Sequence, residues 1–192
     1  MTTFTIIGTG TMANAIGGVL AEGGSSVSYV SKDQVGIAPL DGDVVVLAVP
    51  FPAVDSILAA YGSAFDGKVV IDITNPLNFE TFDSLVVPAG SSAAAEIQAK
   101  LPGATVLKAF NTNFAATLAS KQIGELTTTV LVAGDHAAAK SALVAAIEAG
   151  GLGAIDAGSL ARAHELEAIG FAQLTLAVGE KLGWTGGFAV QR

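Results

Sequence analysis

Short apolar segments alternate with longer, helix-like segments along most of this chain. Strands are predicted where apolar and β-branched residues run together, at 4–7, 27–30, 44–49, 68–73, 105–109 and 128–133. Helices are predicted between and after these strands, at 12–21, 53–60, 137–149 and 159–181. This alternation is typical of βαβ units, in which helices cover a sheet of parallel strands. The sequence therefore predicts an α/β fold with a doubly wound, mainly parallel sheet in a single domain, residues 1–192.

The connections between the predicted elements are uneven in length. Asp135 is the expected cap at the start of helix 137–149, and Gly150-Gly151 ends that helix. Residues 32–43 include two glycines and a proline and are too few for a full helix, so the second crossover is predicted to be a shortened, irregular loop. Residues 74–92 are expected to form a second irregular segment, and such segments in compact domains are usually functional or flexible.

A glycine-rich segment lies between the first predicted strand and the first predicted helix, and it reads Gly8-Thr9-Gly10-Thr11-Met12-Ala13. In a G-x-G-x-x-A pattern the first glycine allows a tight turn and the second lets the backbone approach a pyrophosphate. The helix that follows points its free N–H groups and its positive dipole end at the phosphates. A tight turn in an unrelated α/β protein is the plainer interpretation, but the flanking strand and helix favour a Rossmann-type dinucleotide site.

The residues after the second predicted strand distinguish between the two nicotinamide dinucleotides. NAD-binding proteins usually place an acidic side chain there for the ribose 2′-hydroxyl, whereas NADP-binding proteins offer groups that receive a 2′-phosphate. This chain has Ser31 and Lys32, whose hydroxyl and ammonium groups suit a phosphate, so NADP is preferred. Asp33 follows directly and would favour NAD if its carboxylate turned inward. A solvated turn without a binding role is the remaining alternative.

Composition and charge argue against several other classes of function. The 9 basic and 17 acidic residues give a net charge of −8, which disfavours binding to nucleic acid or to an anionic membrane surface. The chain has no cysteine and two histidines, so neither a disulfide nor a thiolate or multi-histidine metal site is expected. No segment reads as a signal peptide or as a membrane span of about 20 apolar residues. These features favour a protein of the reducing cytoplasm.

Few side chains outside the glycine pattern suggest chemistry. His136 is expected at the surface, in the first turn of its helix. One charged helix face is expected near the C-terminus, available for contact between two copies, and is formed by Arg162, His164, Glu165 and Glu167. The segment that begins at Trp184 is expected to dock against the core or, alternatively, to cover a flat ring as an aromatic lid. No acid–base constellation is evident, so no catalytic residue of that kind is predicted.

Taken together, these segments resemble the coenzyme F420-dependent NADP oxidoreductase family, and also the cytoplasmic reductase domain of the six-transmembrane ferric reductases. The resemblance extends over nearly the whole chain and rests on 8–13, Ser31-Lys32, Ala48-Val49-Pro50, Asp72-Ile73-Thr74-Asn75-Pro76, Lys108-Ala109-Phe110-Asn111-Thr112 and Glu165-Leu166-Glu167. It implies direct hydride transfer between NADPH and a flavin-like acceptor, F420 or a free flavin. Such a transfer depends on the orientation and closeness of two rings more than on an acid or base. The short chain and the shortened crossover depart from the family's pattern and leave the second substrate open.

The resemblance also implies where the two ligands lie. The NADP site would be formed by Gly8, Thr9, Gly10, Thr11, Met12, Ser31 and Lys32. The ribose and nicotinamide would lie along Ala48, Val49 and Pro50, with Asn75 and Pro76 near the nicotinamide. The acceptor ring would be framed by Met12, the final helix, Phe110, Asn111 and Thr112.

Two other functions fit the same N-terminal unit. An imine or carbonyl reductase of the pyrroline-carboxylate type usually adds a helical dimerisation domain, for which residues beyond 158 leave little room. A non-catalytic NADP sensor would need a partner surface, and the sequence reveals none. For the oxidoreductase, the expected partners are a small-molecule electron acceptor and a second copy of the chain in a homodimer.

Overall fold

The apolar runs of the sequence become the strands of one sheet in the computed structural model, which describes residues 2–191. The strands in this range are β1 (Thr3–Ile7), β2 (Ser26–Val30), β3 (Val44–Leu47), β4 (Val69–Asp72), β5 (Thr105–Lys108), β6 (Gln122–Ile123), β7 (Leu126–Thr127), β8 (Thr129–Gly134) and β9 (Gly153–Gly158). β6 and β7 form a small hairpin, and the other strands form one sheet in the order β2-β1-β3-β4-β5-β8-β9. Neighbouring strands of the sheet are parallel except β5 and β8. The expected doubly wound, mainly parallel sheet is confirmed.

The helices pack on both faces of this sheet. They are α1 (Thr11–Glu22), α2 (Phe51–Tyr61), α3 (Ala93–Lys100), α4 (Ala115–Ser120), α5 (Ala137–Ala149) and α6 (Ala163–Val178). One apolar cluster joins the sheet to α1, α4 and α5 through side chains such as Ile16, Leu118 and Leu143. A second cluster on the opposite face includes Ile57 of α2 and Ile97 of α3. Burial on both faces explains why the parallel strands read as continuous apolar runs.

The shortened second crossover is confirmed. Only a 3₁₀ turn, Lys32–Gln34, lies between β2 and β3. Because an α-helix is missing at this point, residues after β2 remain at the surface beside the strand ends. The side chain of Lys32 is accordingly exposed.

Besides the short β6–β7 hairpin, the helices α3 and α4 and the strand β9 were not predicted from the sequence. The alanines of α3 have little apolar periodicity, although the hydroxyl of Ser92 caps this helix by accepting from the N–H of Ala95 at 3.1 Å. α4 has only six residues. β9 includes two glycines and an aspartate and lies at the edge of the sheet, where apolar residues are less needed. In each case tertiary packing, rather than local propensity, stabilises the element.

The predicted bounds of helix 137–149 are confirmed, but its predicted cap and the predicted bounds of the final helix were wrong. His136, not Asp135, caps α5, because the imidazole Nδ1 accepts from the N–H of Ala139 at 3.2 Å. Asp135 instead accepts from the N–H of Leu160 at 2.9 Å, which fixes the 3₁₀ turn Leu160–Arg162 against the sheet. The final helix begins only after that turn and ends at Val178 rather than at residue 181.

A buried charge triad, formed by Asp72, Lys108 and Glu167, joins β4, β5 and α6. The ammonium group of Lys108 lies 2.7 Å from a carboxylate oxygen of Asp72 and 2.8 Å from one of Glu167, and these side chains are at most 1% exposed. The other oxygen of Glu167 accepts from the N–H of Ala93, at the start of α3, at 2.9 Å. The assignment of Glu167 to a charged surface face was therefore wrong. Glu165 does lie at the surface, 3.1 Å from Arg162.

Burial of three charged groups costs free energy of desolvation, so the triad is stable only while its members remain paired. Burial raises the pKa of Glu167 above its ordinary value, and the nearby ammonium of Lys108 counteracts part of that increase. Breaking a buried ion pair by removing one partner leaves an uncompensated charge in the interior. The free energy of unfolding should therefore be sensitive to the loss of Lys108.

We expect Lys108→Met to lower the free energy of unfolding by about 3–5 kcal/mol, measured by urea denaturation. Without the ammonium of Lys108, the pKa of Glu167 is raised further in the variant. A carboxyl whose folded-state pKa is raised contributes stability at low pH that is lost as pH rises through that pKa. The loss of stability in Lys108→Met should therefore be larger at about pH 8 than at about pH 5. Lys100→Met is the matched control, because Lys100 pairs with Asp55 at the surface and its loss should cost under about 1 kcal/mol. Equal losses in the two variants would contradict the assigned role.

Candidate functional site

The carboxyl ends of β1, β2 and β3 meet where the winding of the sheet reverses. β1 lies between the other two strands, so the connection after β1 runs to one side and the next connection returns to the other. Such a switch point leaves a crevice at the strand ends, and open α/β sheets bind ligands there. Three of the predicted segments follow these strands and therefore converge, namely 8–12, 31–32 and 48–50.

Gly8 occupies a narrow position between two strand ends. Its N–H donates to the carbonyl oxygen of Val30 at 2.9 Å. Its φ is +122°, and a Cβ at this residue would overlap the carbonyl oxygen of Ala48. Glycine is required here because the chain turns in a left-handed conformation with no space for a side chain.

The start of α1 is open toward the same edge. Gly10 is the N-cap residue, no side chain caps the first N–H groups of the helix, and its first turn has no acidic residue. A Cβ at Gly10 would meet nothing within 4 Å, so there is open space beside the turn. The amide of Asn14 donates to the carbonyl oxygens of Thr9 and Gly10 at 3.0 and 3.1 Å, which orders the turn. Unpaired N–H groups and the positive dipole end together suit a phosphate group.

A cleft of about 540 Å³, here named the first cleft, lies beside this turn. The predicted residues that line it are Gly8, Thr9, Gly10, Lys32, Ala48, Val49 and Pro50. Lys32 is the charged residue of this lining, and its ammonium has no salt-bridge partner within residues 2–191. The first cleft thus combines apolar walls with one available cation and an open helix N-terminus.

Ser31 and Asp33 lie next to the first cleft but do not line it. The hydroxyl of Ser31 donates to the carboxylate of Asp33 at 2.6 Å and lies 2.8 Å from the side-chain oxygen of Gln34. The hydrogen bond from Ser31 holds the pKa of the Asp33 carboxyl below its ordinary value. The carboxylate is therefore ionised at neutral pH and engaged within its own turn, while Lys32 faces the cleft.

Asn75 and Asn111, which follow β4 and β5, are joined by two hydrogen bonds. The amide of Asn75 donates to the backbone carbonyl of Asn111, and the amide of Asn111 donates to the side-chain oxygen of Asn75, each at 2.8 Å. The amide of Asn111 also donates to the carbonyl oxygen of Leu166 in α6 at 2.8 Å. A Cβ at Gly170 would overlap Asn75, so the absence of a side chain lets α6 pack directly on this pair.

A second cleft, of about 430 Å³, is lined by Thr11 and Met12, the first residues of α1, which directly follow the glycine turn that lines the first cleft. The other lining residues are Ile73, Asn75, Phe110, Asn111, Asn113, Phe114, Ala115, Ala116, Leu174 and Trp184. None of these described lining residues is charged. Asn111 and Asn113 each have a side-chain oxygen that is buried without a hydrogen-bond partner in the described part of the chain. Unsatisfied buried acceptors are rare in folded proteins.

The C-terminal tail forms one wall of the second cleft. The ring of Trp184 lies 4.9 Å from that of Phe114, at an interplanar angle of 53°, and Trp184 is 53% exposed. Gln173 of α6 anchors the tail, because its side-chain oxygen accepts from the N–H of Phe188 and its amide donates to the carbonyl oxygen of Thr112, both at 3.1 Å. The tail therefore docks against the core and also brings an aromatic ring to the cleft.

Some sequence-predicted residues do not reach either cleft. Ser31, Pro76 and Thr112 are absent from both linings, and the last two are buried. Conversely, the prediction omitted Asn14, Asn113 and Phe114. Asn14, in the first turn of α1, carried a local signal, because polar residues there can hydrogen-bond the preceding turn. The other two are recognisable only once β5 and α4 are placed.

A family model described as NADP oxidoreductase, coenzyme F420-dependent, matches residues 37–76. The matched region contains Ala48-Val49-Pro50 and Asn75-Pro76 but not the glycine turn. The metalloreductase STEAP3 of Rattus norvegicus is 30% identical over 179 residues, which cover 85% of this chain. The chain spans only 35% of the length of that relative.

Solved structures share the fold. A protein of Arthrobacter sp. FB24, provisionally described as an F420-dependent NADP reductase, is 24% identical, with a TM-score of 0.85 and full coverage of both chains. A hypothetical protein of Sinorhizobium meliloti, SMa0349, is 26% identical, with a TM-score of 0.70 over 84% of this chain and 87% of the other. An imine reductase of Myxococcus stipitatus in complex with NADP⁺ is 18% identical, with a TM-score of 0.66 over 93% of this chain and 63% of its own.

The resemblance inferred from the sequence is thus confirmed. The chain is similar to F420-dependent NADP oxidoreductases and to a metalloreductase, and its fold is that of NADP-dependent reductases. Within the described residues, no helix is long and apolar enough to cross a membrane.

Gly8→Ala tests the geometry of the glycine turn. We expect a loss of about 1–3 kcal/mol in the free energy of unfolding, because a side chain is strained at this φ and overlaps Ala48. Gly18→Ala is the matched control, since a Cβ there meets nothing within 4 Å in the middle of α1 and should stabilise the helix by about 0.5–1 kcal/mol. Urea denaturation measures both changes, and a stabilised Gly8→Ala would refute the packing described.

Proposed function

On the premise that this chain is similar to F420-dependent NADP oxidoreductases, we propose that it is an NADP-dependent oxidoreductase. It transfers a hydride between NADPH and a flavin-like acceptor, F420 or a free flavin, and residues 1–192 act as one NADP-binding domain. The observation that carries this proposal is that consecutive residues line two clefts, residues 8–10 the first and residues 11–12 the second. One offers a helix N-terminus and a lysine for phosphates, and the other offers an uncharged, aromatic wall.

The residues of the first cleft suit NADP. The open N–H groups at the start of α1 are suited to the pyrophosphate, and the free space beside Gly10 lets it approach the backbone. Lys32 is free to pair with the 2′-phosphate, whereas the carboxylate of Asp33 is engaged by Ser31 rather than held out for a ribose hydroxyl. The apolar residues Ala48, Val49 and Pro50 cover the ribose and nicotinamide side.

The residues between the clefts orient the two rings. The mutual hydrogen bonds of Asn75 and Asn111 fix the ends of β4 and β5, and both residues line the second cleft together with Met12 and Phe110. NADPH supplies a hydride, that is, one proton with two electrons, and the acceptor ring takes up this hydride together with one proton from solvent. The chain positions the two rings and excludes water, rather than supplying an acid or base. Holding two reactants close together in the right orientation by itself accounts for a large part of the rate enhancement of such a transfer.

Lys32→Glu tests the choice of dinucleotide. We expect the parent protein to bind NADPH about tenfold or more tightly than NADH, since one charge-assisted contact is worth about 1.5–3 kcal/mol. The substitution should remove this preference and leave NADH binding unchanged, as measured by fluorescence titration. Lys181→Glu changes the same charge at an exposed residue that lines neither cleft and should retain the preference. Equal affinities in the parent would refute the proposal for NADP.

Oxidation of NADPH tests the acceptor. Purified protein is mixed with NADPH and, in turn, F420, free flavins, a ferric chelate and cyclic imines, and the absorbance of NADPH is followed. Turnover with F420 or a flavin is expected. Turnover with imines alone would instead indicate an imine reductase, and tight NADPH binding without any turnover would indicate a sensor.

We further propose that the chain forms a homodimer through the charged surface residues Arg162 and Glu165, and that it acts in the cytoplasm, which the absence of cysteine in the sequence favours. Light scattering of the purified protein measures the first property. A monomeric mass across the concentrations used for catalysis would refute it.

A further inference from the structure

The buried triad contains one more carboxylate than its charge balance needs. Lys108 and Asp72 already form a one-to-one ion pair at 2.7 Å, and both side chains are fully buried. Glu167 adds a second carboxylate 2.8 Å from the same ammonium group, so the triad is net negative whenever Glu167 is ionised. Burial raises the pKa of the Glu167 carboxyl, because desolvation disfavours its charged form. An additional buried ion that the fold does not need for charge balance points to a role beyond stability.

The triad is joined to the asparagine pair, Asn75 and Asn111, at Thr74. The N–H of Thr74 donates to the carboxylate of Asp72 at 2.8 Å, and its carbonyl oxygen accepts from the ammonium group of Lys108. Both hydrogen-bonding groups of this backbone segment are therefore held by the triad. Because the same carbonyl belongs to the planar peptide group that continues into Asn75, the triad also orients the backbone of Asn75.

Glu167 makes a second connection to the pair, through the backbone of α6. The carbonyl oxygen of Leu166 accepts from the amide of Asn111 at 2.8 Å, and the peptide group of this carbonyl continues into Glu167. The carboxylate of Glu167 fixes this part of α6, because it pairs with Lys108 of β5 and accepts from the N–H of Ala93 at 2.9 Å. Loss of the carboxylate would therefore release α6 at the point where Asn111 is attached.

The members of the triad line neither cleft, whereas both asparagines line the second one. At most 1% of each triad side chain is exposed, so none of the three contacts a bound molecule directly. Any effect of the triad on a reaction must therefore act through residues such as Asn75 and Asn111. Such indirect effects are large, because a misplacement of about 1 Å caused far from the chemistry can lower a rate about 100-fold.

We propose that Glu167 is a positioning residue, which holds Asn111, and through it the asparagine pair, in the orientation that hydride transfer requires. Lys108 and Asp72 serve mainly the fold, because they remain a balanced ion pair without Glu167. This role rests on the proposed function and extends it, since it assigns a part in hydride transfer to a side chain that lines neither cleft.

Glu167→Gln separates this role from folding. Gln has nearly the same size as Glu, keeps one side-chain oxygen as an acceptor and leaves Lys108 paired with Asp72, so the variant should fold. We expect kcat with the acceptor that the parent protein reduces to fall about 10–100-fold, while the dissociation constant for NADPH changes by less than about twofold. Glu167→Asp keeps the charge but shortens the side chain by one methylene group, and should show a smaller loss of the same kind.

Glu148→Gln is the matched control for the loss of one negative charge. Glu148 is exposed on α5 and lines neither cleft, so this variant should retain the kcat of the parent. Near-ultraviolet circular dichroism verifies that each variant is folded under the conditions of the assay. A folded Glu167→Gln or Glu167→Asp protein with the kcat of the parent would overturn the proposal.

A double-mutant cycle tests whether Glu167 acts through Asn111. Asn111→Ala removes the amide that donates to Leu166, so adding Glu167→Gln to it should lower kcat by less than about a further twofold. If each substitution instead lowers kcat by its own full factor in the double variant, Glu167 acts by another route and the proposal is wrong.

A measurement without turnover separates this role from the proposed function. The side-chain amide signals of Asn111 in proton–nitrogen NMR spectra are identified by their absence from Asn111→Ala, and they report on its hydrogen bonds to Asn75 and Leu166. We expect Glu167→Gln to shift or broaden these signals, and Glu148→Gln to leave them in place. If the parent reduces no acceptor while the signals change in Glu167→Gln, the proposed function fails and the positioning of Asn111 by Glu167 stands. Unchanged signals in that variant would overturn the positioning role.

Discussion

The buried ammonium group of Lys108 is the interaction on which the rest of the structure depends. It joins carboxylates from β4 and α6 in a place from which water is excluded. The same network reaches beyond the triad, because Lys108 also donates to the carbonyl oxygen of Thr74 and Glu167 accepts from the first N–H of α3. One cation therefore fixes two strand ends and two helices relative to each other, and a misplaced member would leave a buried charge unpaired.

The candidate site lies directly beyond this network. Thr74 is followed by Asn75, Lys108 by the turn that leads to Asn111, and Glu167 by the helix face that includes Gly170. The asparagine pair is thus held by backbone segments that the triad has already positioned, and it needs no charged side chain of its own. The second cleft accordingly has no charged residue among its described lining residues, whereas Lys32 lines the first cleft.

Much of the fold was predictable because its signals are local. The parallel strands β1, β3 and β4 are buried on both faces and therefore appear as unbroken apolar runs. The shortened crossover followed from a count of residues between two such runs. The antiparallel return of β8 and the edge strand β9 were not predictable in the same way, because pairing partners and strand direction depend on how the intervening chain packs. α4 is too short to leave a periodic pattern.

The sequence by itself determined the glycine turn, the lysine after β2 and the asparagines after β4 and β5, since each follows a recognisable strand and acts through its immediate neighbours. Only the tertiary structure decided that Glu167 is buried rather than exposed, because its partner N–H at Ala93 lies 74 residues away. The same holds for Trp184, whose place at the second cleft depends on Gln173 anchoring the tail to the loop after β5. Contacts between distant segments leave no spacing pattern in the sequence. The roles of the residues that make them can therefore be recognised only when the sheet and helices bring the segments together.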